Sequence, residues 1–243
     1  MRRSGLRGSG ATGMAGQSTK TVRPVAVFGG AGSGAYAAMI LRRIEARGGD
    51  QRFLGLLNDI VAPGTNIGSN PVLGPFSAWR TLPDETAFLA PLHKVKEAPT
   101  RAALIEALGI PDARWAHIID PDAIVAPDTV FGPGCFLAPH SIVMPAVRFG
   151  RHVVVRQGAT VAHDSRIGDF CMIGVGVCVA GYTQIETGAH LCPGALIREE
   201  LRIGRYCVVG MGAVVVRDVP DFAIVAGNPA RVIGEIPRPE GMP

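Results

Sequence analysis

The sequence predicts two domains, an α/β unit followed by a parallel β-helix. Two observations predict this arrangement. Residues 24–49 contain a short apolar strand, a glycine-rich turn and an amphipathic helix, whereas from Ile119 onward a large apolar residue returns at every sixth position. The chain of 243 residues is long enough for two modest domains, or one elongated domain, with a sizeable core.

Residues 1–22 are expected to form a flexible basic tail. The first twenty residues hold four basic side chains and no acid, so the rest of the chain balances 20 basic against 20 acidic side chains. The predicted domains therefore have no overall charge that would attract nucleic acid or an anionic membrane. The tail lacks the apolar run of a signal peptide, and no stretch reaches the roughly 18 apolar residues of a membrane span. We expect a cytoplasmic protein.

Residues 23–114 are predicted to form a Rossmann-like nucleotide-sugar-binding domain. Strand "PVAVF" leads through the turn "GGAGSG" into a helix from about Ala35, and strand "RFLGLLND" follows. A loop is expected over 60–75, then strand "TAFLAPL" and helix "TRAALIEALG". Glycines in such a turn present N–H groups to a phosphate, although they also serve strand-to-helix packing. Asn58 and Asp59 end the second strand, where an amide or carboxylate commonly meets a ribose or base. The domain is short for a dinucleotide, so a nucleotide-sugar is favoured over NAD.

Residues 115–220 are predicted to form a solenoid. Seventeen lead positions in a row, each six positions after the last, are large and apolar from Ile119 to Val215, and the fourth residue after each is small or aliphatic. A strict short repeat indicates units that stack because none can bury its apolar face alone. Three successive repeats would form the three short faces of one coil, with lead residues inward. A β-sandwich would show uneven loops instead. Residues 221–243 are left as a C-terminal extension.

The same period explains the cysteines. Cys135, Cys171 and Cys207 are spaced two coils apart, at the small inward position, and so are expected to stack in the core. Cys178 and Cys192 share no ligand-like spacing with them. Neither a zinc site nor a disulfide framework is favoured, and no metal is expected.

His163 interrupts the apolar repeat within "ATVAHDSRIGDF" and falls in a turn, so its side chain is expected to point outward. Gly181 lies one full coil further on, at the same corner. An imidazole can act as a general base, Asp164 can fix its tautomer, and the Gly181 N–H can donate to an oxyanion, which together suit acyl transfer. The alternative is a solvated surface histidine beside an unrelated aspartate.

The chain resembles the sialic acid and nucleotide-sugar O- or N-acetyltransferases of the left-handed β-helix superfamily, including bacillosamine and perosamine N-acetyltransferases. The resemblance rests on "VFGGAGSG", "LLND", "NPVLG", "ATVAHDSRIGDF" and "VVVRDVPDFAIVAGNPARVI". It implies a homotrimer with active sites between neighbouring left-handed solenoids and acetyl-CoA lying along the β-helix. It also implies that His163 is the general base and Asp164 its orienting acid.

The resemblance further implies two sets of binding residues. The residues expected to contact the coenzyme are Met172, which stands where the family often has a second His, together with Gly181, Pro193 and Met211. Those expected to contact the nucleotide-sugar are Ala31, Gly32, Ser33, Asn58 and Asp59.

The sequence therefore predicts an acetyl-CoA-dependent acetyltransferase that acts on a sugar or nucleotide-linked sugar in surface polysaccharide or glycan synthesis. Direct transfer is favoured, because no cysteine or serine is seen paired with His163. Two alternatives stay open: an acyltransferase for another small acceptor, and a non-catalytic binding or scaffold trimer.

Overall fold

The computed structural model describes residues 21–238. Most of the predicted tail and the last five residues of the C-terminal extension lie outside this range. The described chain forms an N-terminal α/β unit followed by a stack of short parallel strands that ends in a hairpin. Within residues 21–238 no helix combines the length and the apolar character that crossing a bilayer requires.

The α/β unit is a parallel sheet built around one βαβ crossover. It contains β1 (Arg23–Phe28), α1 (Ser33–Ala46), β2 (Gln51–Leu57), β3 (Asn66–Ile67), β4 (Asn70–Gly74), β5 (Ala87–Leu89) and α2 (Ala98–Ala107), with 3₁₀ turns at Phe76–Thr81 and Asp112–Arg114. The strand order is β3-β4-β2-β1-β5, and only β3 runs antiparallel to its neighbour. The carboxyl ends of β1 and β5 therefore lie side by side.

The loop expected over 60–75 is wrong in part, because it contains the β3–β4 hairpin. β4 pairs with β2 through Leu56 and Val72, and Val72 is buried. Gly55 makes room for this strand: a Cβ there would lie 2.6 Å from Cγ of Leu73. The sequence predicts a loop here because glycine, asparagine and proline surround "PVL". The short apolar centre of this segment nevertheless packs as a strand.

Seventeen two-residue strands, β6 to β22, form three parallel sheets, called faces 1, 2 and 3. Face 1 contains β6 (Ile118–Ile119), β9 (Phe136–Leu137), β12 (Val154–Val155), β15 (Met172–Ile173), β18 (His190–Leu191) and β21 (Val208–Val209). Face 2 contains β7 (Ile124–Val125), β10 (Ile142–Val143), β13 (Thr160–Val161), β16 (Cys178–Val179), β19 (Leu196–Ile197) and β22 (Val214–Val215). Face 3 contains β8 (Val130–Phe131), β11 (Arg148–Phe149), β14 (Arg166–Ile167), β17 (Gln184–Ile185) and β20 (Arg202–Ile203).

Each strand pairs with the strand three repeats further along the chain, as Val143 pairs with Val161 and Met172 with His190. The predicted coil length is thereby confirmed. Every strand ends on a lead residue, and the lead residues from Leu137 onward are buried in one continuous core. The small residues of the repeat, among them Ser141, Ser165 and Thr183, point into the same core and are fully buried.

The three stacked cysteines lie in this core as expected. Cys135, Cys171 and Cys207 are free and buried, and burial raises the pKa of the Cys135 and Cys207 thiols to about 12. Thiols held neutral in this way are inert as nucleophiles. Cys192 is buried as well, whereas Cys178 is exposed on face 2.

The C-terminal segment continues face 1 beyond residue 220. β23 (Ala223–Gly227) pairs parallel to β21, and β24 (Ala230–Glu235) returns antiparallel to β23 through a turn with a cis Asn228–Pro229 peptide. The hairpin covers the last coil, since Val225 packs into the solenoid core.

The α/β unit packs on the outward side of face 1. Outward residues Phe136, Val154 and Met172 share one apolar cluster with Ile40 and other residues of α1 and β1. Ion pairs also join α1 to the first coil of the solenoid. The Arg43 guanidinium donates to the buried Asp120 carboxylate at 2.8 Å and also contacts Asp122. These contacts hold α1 against the solenoid.

Candidate active site

His163 and Asp164 form a hydrogen-bonded pair at the corner between faces 2 and 3, directly after β13. His163 Nδ1 lies 2.9 Å from Asp164 Oδ2, and both side chains are about half exposed. Asp164 has a positive φ of 57°, a conformation that aspartate tolerates, and its backbone N–H donates to the Pro145 carbonyl. With Nδ1–H donating to the carboxylate, Nε2 carries the free lone pair. The imidazole is therefore oriented to accept a proton at Nε2.

Gly181 lies over this imidazole in the next coil. A Cβ at Gly181 would be 3.0 Å from Cε1 and 3.1 Å from Nε2 of His163, so any other residue would crowd the basic nitrogen. The Gly181 N–H donates to no acceptor within the described part of the chain, whereas the N–H groups of Ala180 and Tyr182 both bond to neighbouring carbonyls. A free donor thus lies beside a free base.

Tyr182 is a further residue of this corner that sequence reasoning missed. Its ring centroid lies 5.1 Å from that of His163 with the planes perpendicular, and the side chain is more than half exposed. Tyr182 lies one full coil after Asp164, so the same period that identified Gly181 also contained this signal. The ring forms one wall beside the imidazole.

The structure does not bring the remaining coenzyme residues to this corner within one chain. Pro193 and Met211 lie one coil apart at the corner between faces 1 and 2, where Met211 is highly exposed. Met172 lies on face 1 and is buried beneath the α/β unit. Face 2 separates Pro193 and Met211 from His163 and Gly181.

The glycine-rich turn borders two cavities. One, of about 200 Å³, lies at the carboxyl ends of β1 and β5 and is lined by Gly29, Gly30, Ser33, Gly34, Pro91, Leu92, His93, Lys94 and Arg101. The other, of about 410 Å³, lies between α1 and the β3–β4 hairpin and is lined by Ala31, Ala35, Met39, Arg42, Ile67, Gly68, Ser69 and Asn70. Ser33 and Ala31 thus line different cavities, and Gly32 lies between them in the turn.

Asn58 bonds the backbone of this turn, whereas Asp59 bonds the backbone that follows β4. The Asn58 amide donates to the Gly29 carbonyl at 3.1 Å, and its oxygen accepts from the N–H groups of Ile60 and Val61. Asp59 Oδ1 accepts from the Phe76 N–H at 2.6 Å. Asn58 therefore positions the glycine-rich turn, and neither residue lines the two cavities.

Three histidines that the sequence analysis left out lie where the two domains meet. Burial, together with the neighbouring His190 and His152, lowers the pKa of His93 to about 3. Burial lowers the pKa of His190 to about 4 and that of His152 to about 3. All three are neutral at physiological pH. Among residues 21–238 no three His, Cys, Asp or Glu side chains are grouped so that they could hold a metal ion.

No protein-family model and no curated protein matches the chain. Solved structures do. The acetyltransferase domain of PglB from Neisseria gonorrhoeae FA1090, in complex with acetyl coenzyme A, is 28% identical with a TM-score of 0.75, and the match covers 87% of this chain and 100% of that domain. PerB from Caulobacter crescentus, in complex with CoA and GDP-perosamine, is 25% identical with a TM-score of 0.71, covering 87% of this chain and 97% of PerB.

WeeI from Acinetobacter baumannii AYE is similar in the same way, with 26% identity, a TM-score of 0.73 and coverage of 86% of this chain and 99% of WeeI. The similarity therefore extends through both domains rather than through the solenoid alone. The resemblance drawn from the sequence is confirmed: the chain is similar to hexapeptide-repeat sugar acetyltransferases, and it is an acyltransferase.

Proposed function

We propose that the protein transfers an acetyl group from acetyl-CoA to a sugar carried by a nucleotide. The observation that supports this most directly is the His163–Asp164 pair, whose imidazole packs under Gly181, a residue whose N–H has no acceptor within the described chain. Two similar structures were solved with acetyl coenzyme A, or with CoA and GDP-perosamine. The proposed reaction uses no metal.

In the proposed mechanism His163 Nε2 takes the proton from the acceptor amine or hydroxyl as that group attacks the thioester carbonyl carbon. The Asp164 carboxylate stabilises the imidazolium that forms, and the Gly181 N–H donates to the oxyanion of the tetrahedral intermediate. Collapse breaks the carbon–sulfur bond, and the imidazolium returns its proton to the departing thiolate. Transfer is direct, because no described serine or cysteine side chain bonds the imidazole; Ser165 Oγ donates to the carbonyls of His163 and Ala180 instead.

A homotrimer of left-handed solenoids would complete this site. Face 2 separates the His163 corner from the Pro193 and Met211 corner in one chain, and its outward residues include the exposed Ile124 and Leu196. Packing face 2 against a neighbouring copy buries these residues and can bring the two corners together. The coenzyme would then lie between one copy's His163 and Gly181 and the other copy's Pro193 and Met211.

The acceptor would be held by the α/β unit as a Rossmann-like module. Parallel strands bind ligands beyond their carboxyl ends, where the 200 Å³ cavity joins the start of α1 to Lys94 and Arg101. A helix N-terminus with two nearby cations, which share the Glu97 carboxylate as their ion-pair partner, suits a diphosphate. The larger cavity beside Ala31 has room for the base. We assign the reaction to cytoplasmic synthesis of surface polysaccharide or glycan.

The test is release of CoA thiol from acetyl-CoA in the presence of nucleotide-linked amino and neutral sugars. His163→Asn should lower turnover by about 100-fold or more, the loss expected for a general base. His140→Asn is the matched control, because His140 is also exposed at a solenoid corner and its positive φ suits asparagine. Turnover by folded His163→Asn protein equal to that of the control would refute the assignment of the base.

A further inference from the structure

Face 3 carries a row of outward residues unlike those of the other faces. Arg148 on β11 and Arg166 on β14 are direct partners in the parallel register, and both are exposed. Neither forms an ion pair or a side-chain hydrogen bond within the described chain. Their neighbours above are Gln184 and Arg202. Two guanidinium groups without a partner in the described chain therefore belong to adjacent strands, and adjacent strands lie about 4.8 Å apart.

These two arginines line a groove of about 270 Å³ that crosses three coils. Gly150 and Gly168 contribute no side chains to it, and Gln184 continues it upward. Its one acid, Glu186, accepts a hydrogen bond from Arg202 at 3.1 Å. The charges of Arg148 and Arg166 are therefore not neutralised by any residue that lines the groove.

Like charges placed opposite each other on adjacent strands repel. An anion that bridges the pair would remove this repulsion and would accept two charge-assisted hydrogen bonds. Phosphate suits the planar guanidinium fork, which binds such oxygens in a bidentate manner. The groove also begins beside the catalytic corner, since Arg166 is three residues after His163 on the strand that leaves the corner.

We propose that Arg148 and Arg166 form a phosphate-binding subsite on face 3. The identity of the phosphate rests on the proposed function, since the coenzyme and the nucleotide-sugar both carry phosphate groups. Binding of the anion itself does not depend on that function. The two are therefore tested separately.

The first measurement is calorimetric titration with inorganic pyrophosphate, made on full-length protein that carries Arg101→Gln to weaken the diphosphate site proposed beside α1; this protein serves as the wild-type reference for the variants below. The double variant Arg148→Gln and Arg166→Gln should bind at least about tenfold more weakly than the wild type, because two charge-assisted hydrogen bonds are lost. Arg52→Gln is the matched control: it removes one exposed guanidinium on β2, away from the groove, and should leave affinity unchanged. Equal affinity in the double variant and the wild type would overturn the proposal.

The second measurement identifies the source of the phosphate. If KM rises for acetyl-CoA with kcat unchanged, the coenzyme occupies the groove, whereas a rise for the nucleotide-sugar alone assigns it to the acceptor. Loss of pyrophosphate binding with both KM values unchanged assigns the site to a free phosphate. A change of oligomeric state in the double variant, seen by sedimentation, would mean that face 3 contacts another copy and would overturn the proposal.

Discussion

Faces 1 and 3 of the solenoid both point apolar lead residues into the core, but their outward residues differ in type and in burial. Outward residues of face 1 such as Phe136 and Val154 are fully buried under the α/β unit. The corresponding residues of face 3 are mostly exposed, with arginine at three of five positions. The inward residues therefore specify the coil. The residue before each lead position determines whether that face of the coil contacts the α/β unit or solvent. The residues proposed to bind ligands or to react therefore lie on the outer surface of a repeating scaffold.

The largest expected difference between the two faces is in the free energy of unfolding, when one carboxylate is placed on each face. Val154→Asp puts a carboxylate in the interdomain cluster and should lower the free energy of unfolding by about 3 kcal/mol or more, because an unpaired buried charge has no compensation. Val130→Asp makes the same change on face 3, where the side chain is 47% exposed, and should stay within about 0.5 kcal/mol. Urea unfolding followed by circular dichroism measures both; equal losses would mean that the faces do not differ.

A smaller effect, on rate rather than stability, is expected at the corner where face 3 begins. Gly181→Ala adds a Cβ at 3.0 Å from the His163 ring and should lower kcat about tenfold, because the base is pushed from its position. Gly234→Ala, on the strand that extends face 1, meets only ordinary contact at 3.7 Å and serves as the control. Acetyl transfer at saturating substrate gives both values, and full activity of Gly181→Ala would show that the imidazole needs no such clearance.

The smallest effect concerns the charged edge of face 1. A hydrogen bond from Arg47, and a second from Arg43, hold the pKa of Asp122 below its usual value. A carboxyl whose pKa is depressed in the folded state stabilises the fold above its unfolded pKa of about 3.9, and this stabilisation is lost as pH falls through the folded value. Asp122→Asn should therefore lower Tm modestly at pH 7. The difference from the wild type should shrink as the pH falls toward 3, and a difference that stays constant would show that the ion pair is not its cause.

The sequence predicted the solenoid well because its period has no insertion. Each lead residue must be apolar because it points into the solenoid core, so the same apolar signal occurs at seventeen positions. The prediction of the α/β unit was less complete. Its first crossover was predicted, whereas the β3–β4 hairpin was not, because three apolar residues among Gly, Asn and Pro carry little periodicity. Strand pairing with Leu56 is a long-range contact that local pattern does not contain.

The candidate site shows the same division. The contact of His163 with Asp164 and the position of Gly181 followed from adjacency and from the coil length. The hydrogen bonds of Asn58 to Gly29, Ile60 and Val61 did not, since a residue type that suits a ribose also suits a turn. Tyr182, Arg148 and Arg166 could have been found by comparing outward positions from one coil to the next, as was done for the inward ones.

The uniform coil length has an evolutionary consequence. Gly181 reaches His163 only because one complete coil separates them, and the pairing of Thr160 with Cys178 fixes that separation. Whole coils can be duplicated or deleted above or below this pair without disturbing it. An insertion or deletion between His163 and Gly181 shifts the register by its length unless the extra residues bulge outward. Another residue then replaces Gly181 above the imidazole. Changes in chain length at this corner are thus restricted to whole coils, and the candidate active site can be inherited unchanged by solenoids of quite different height.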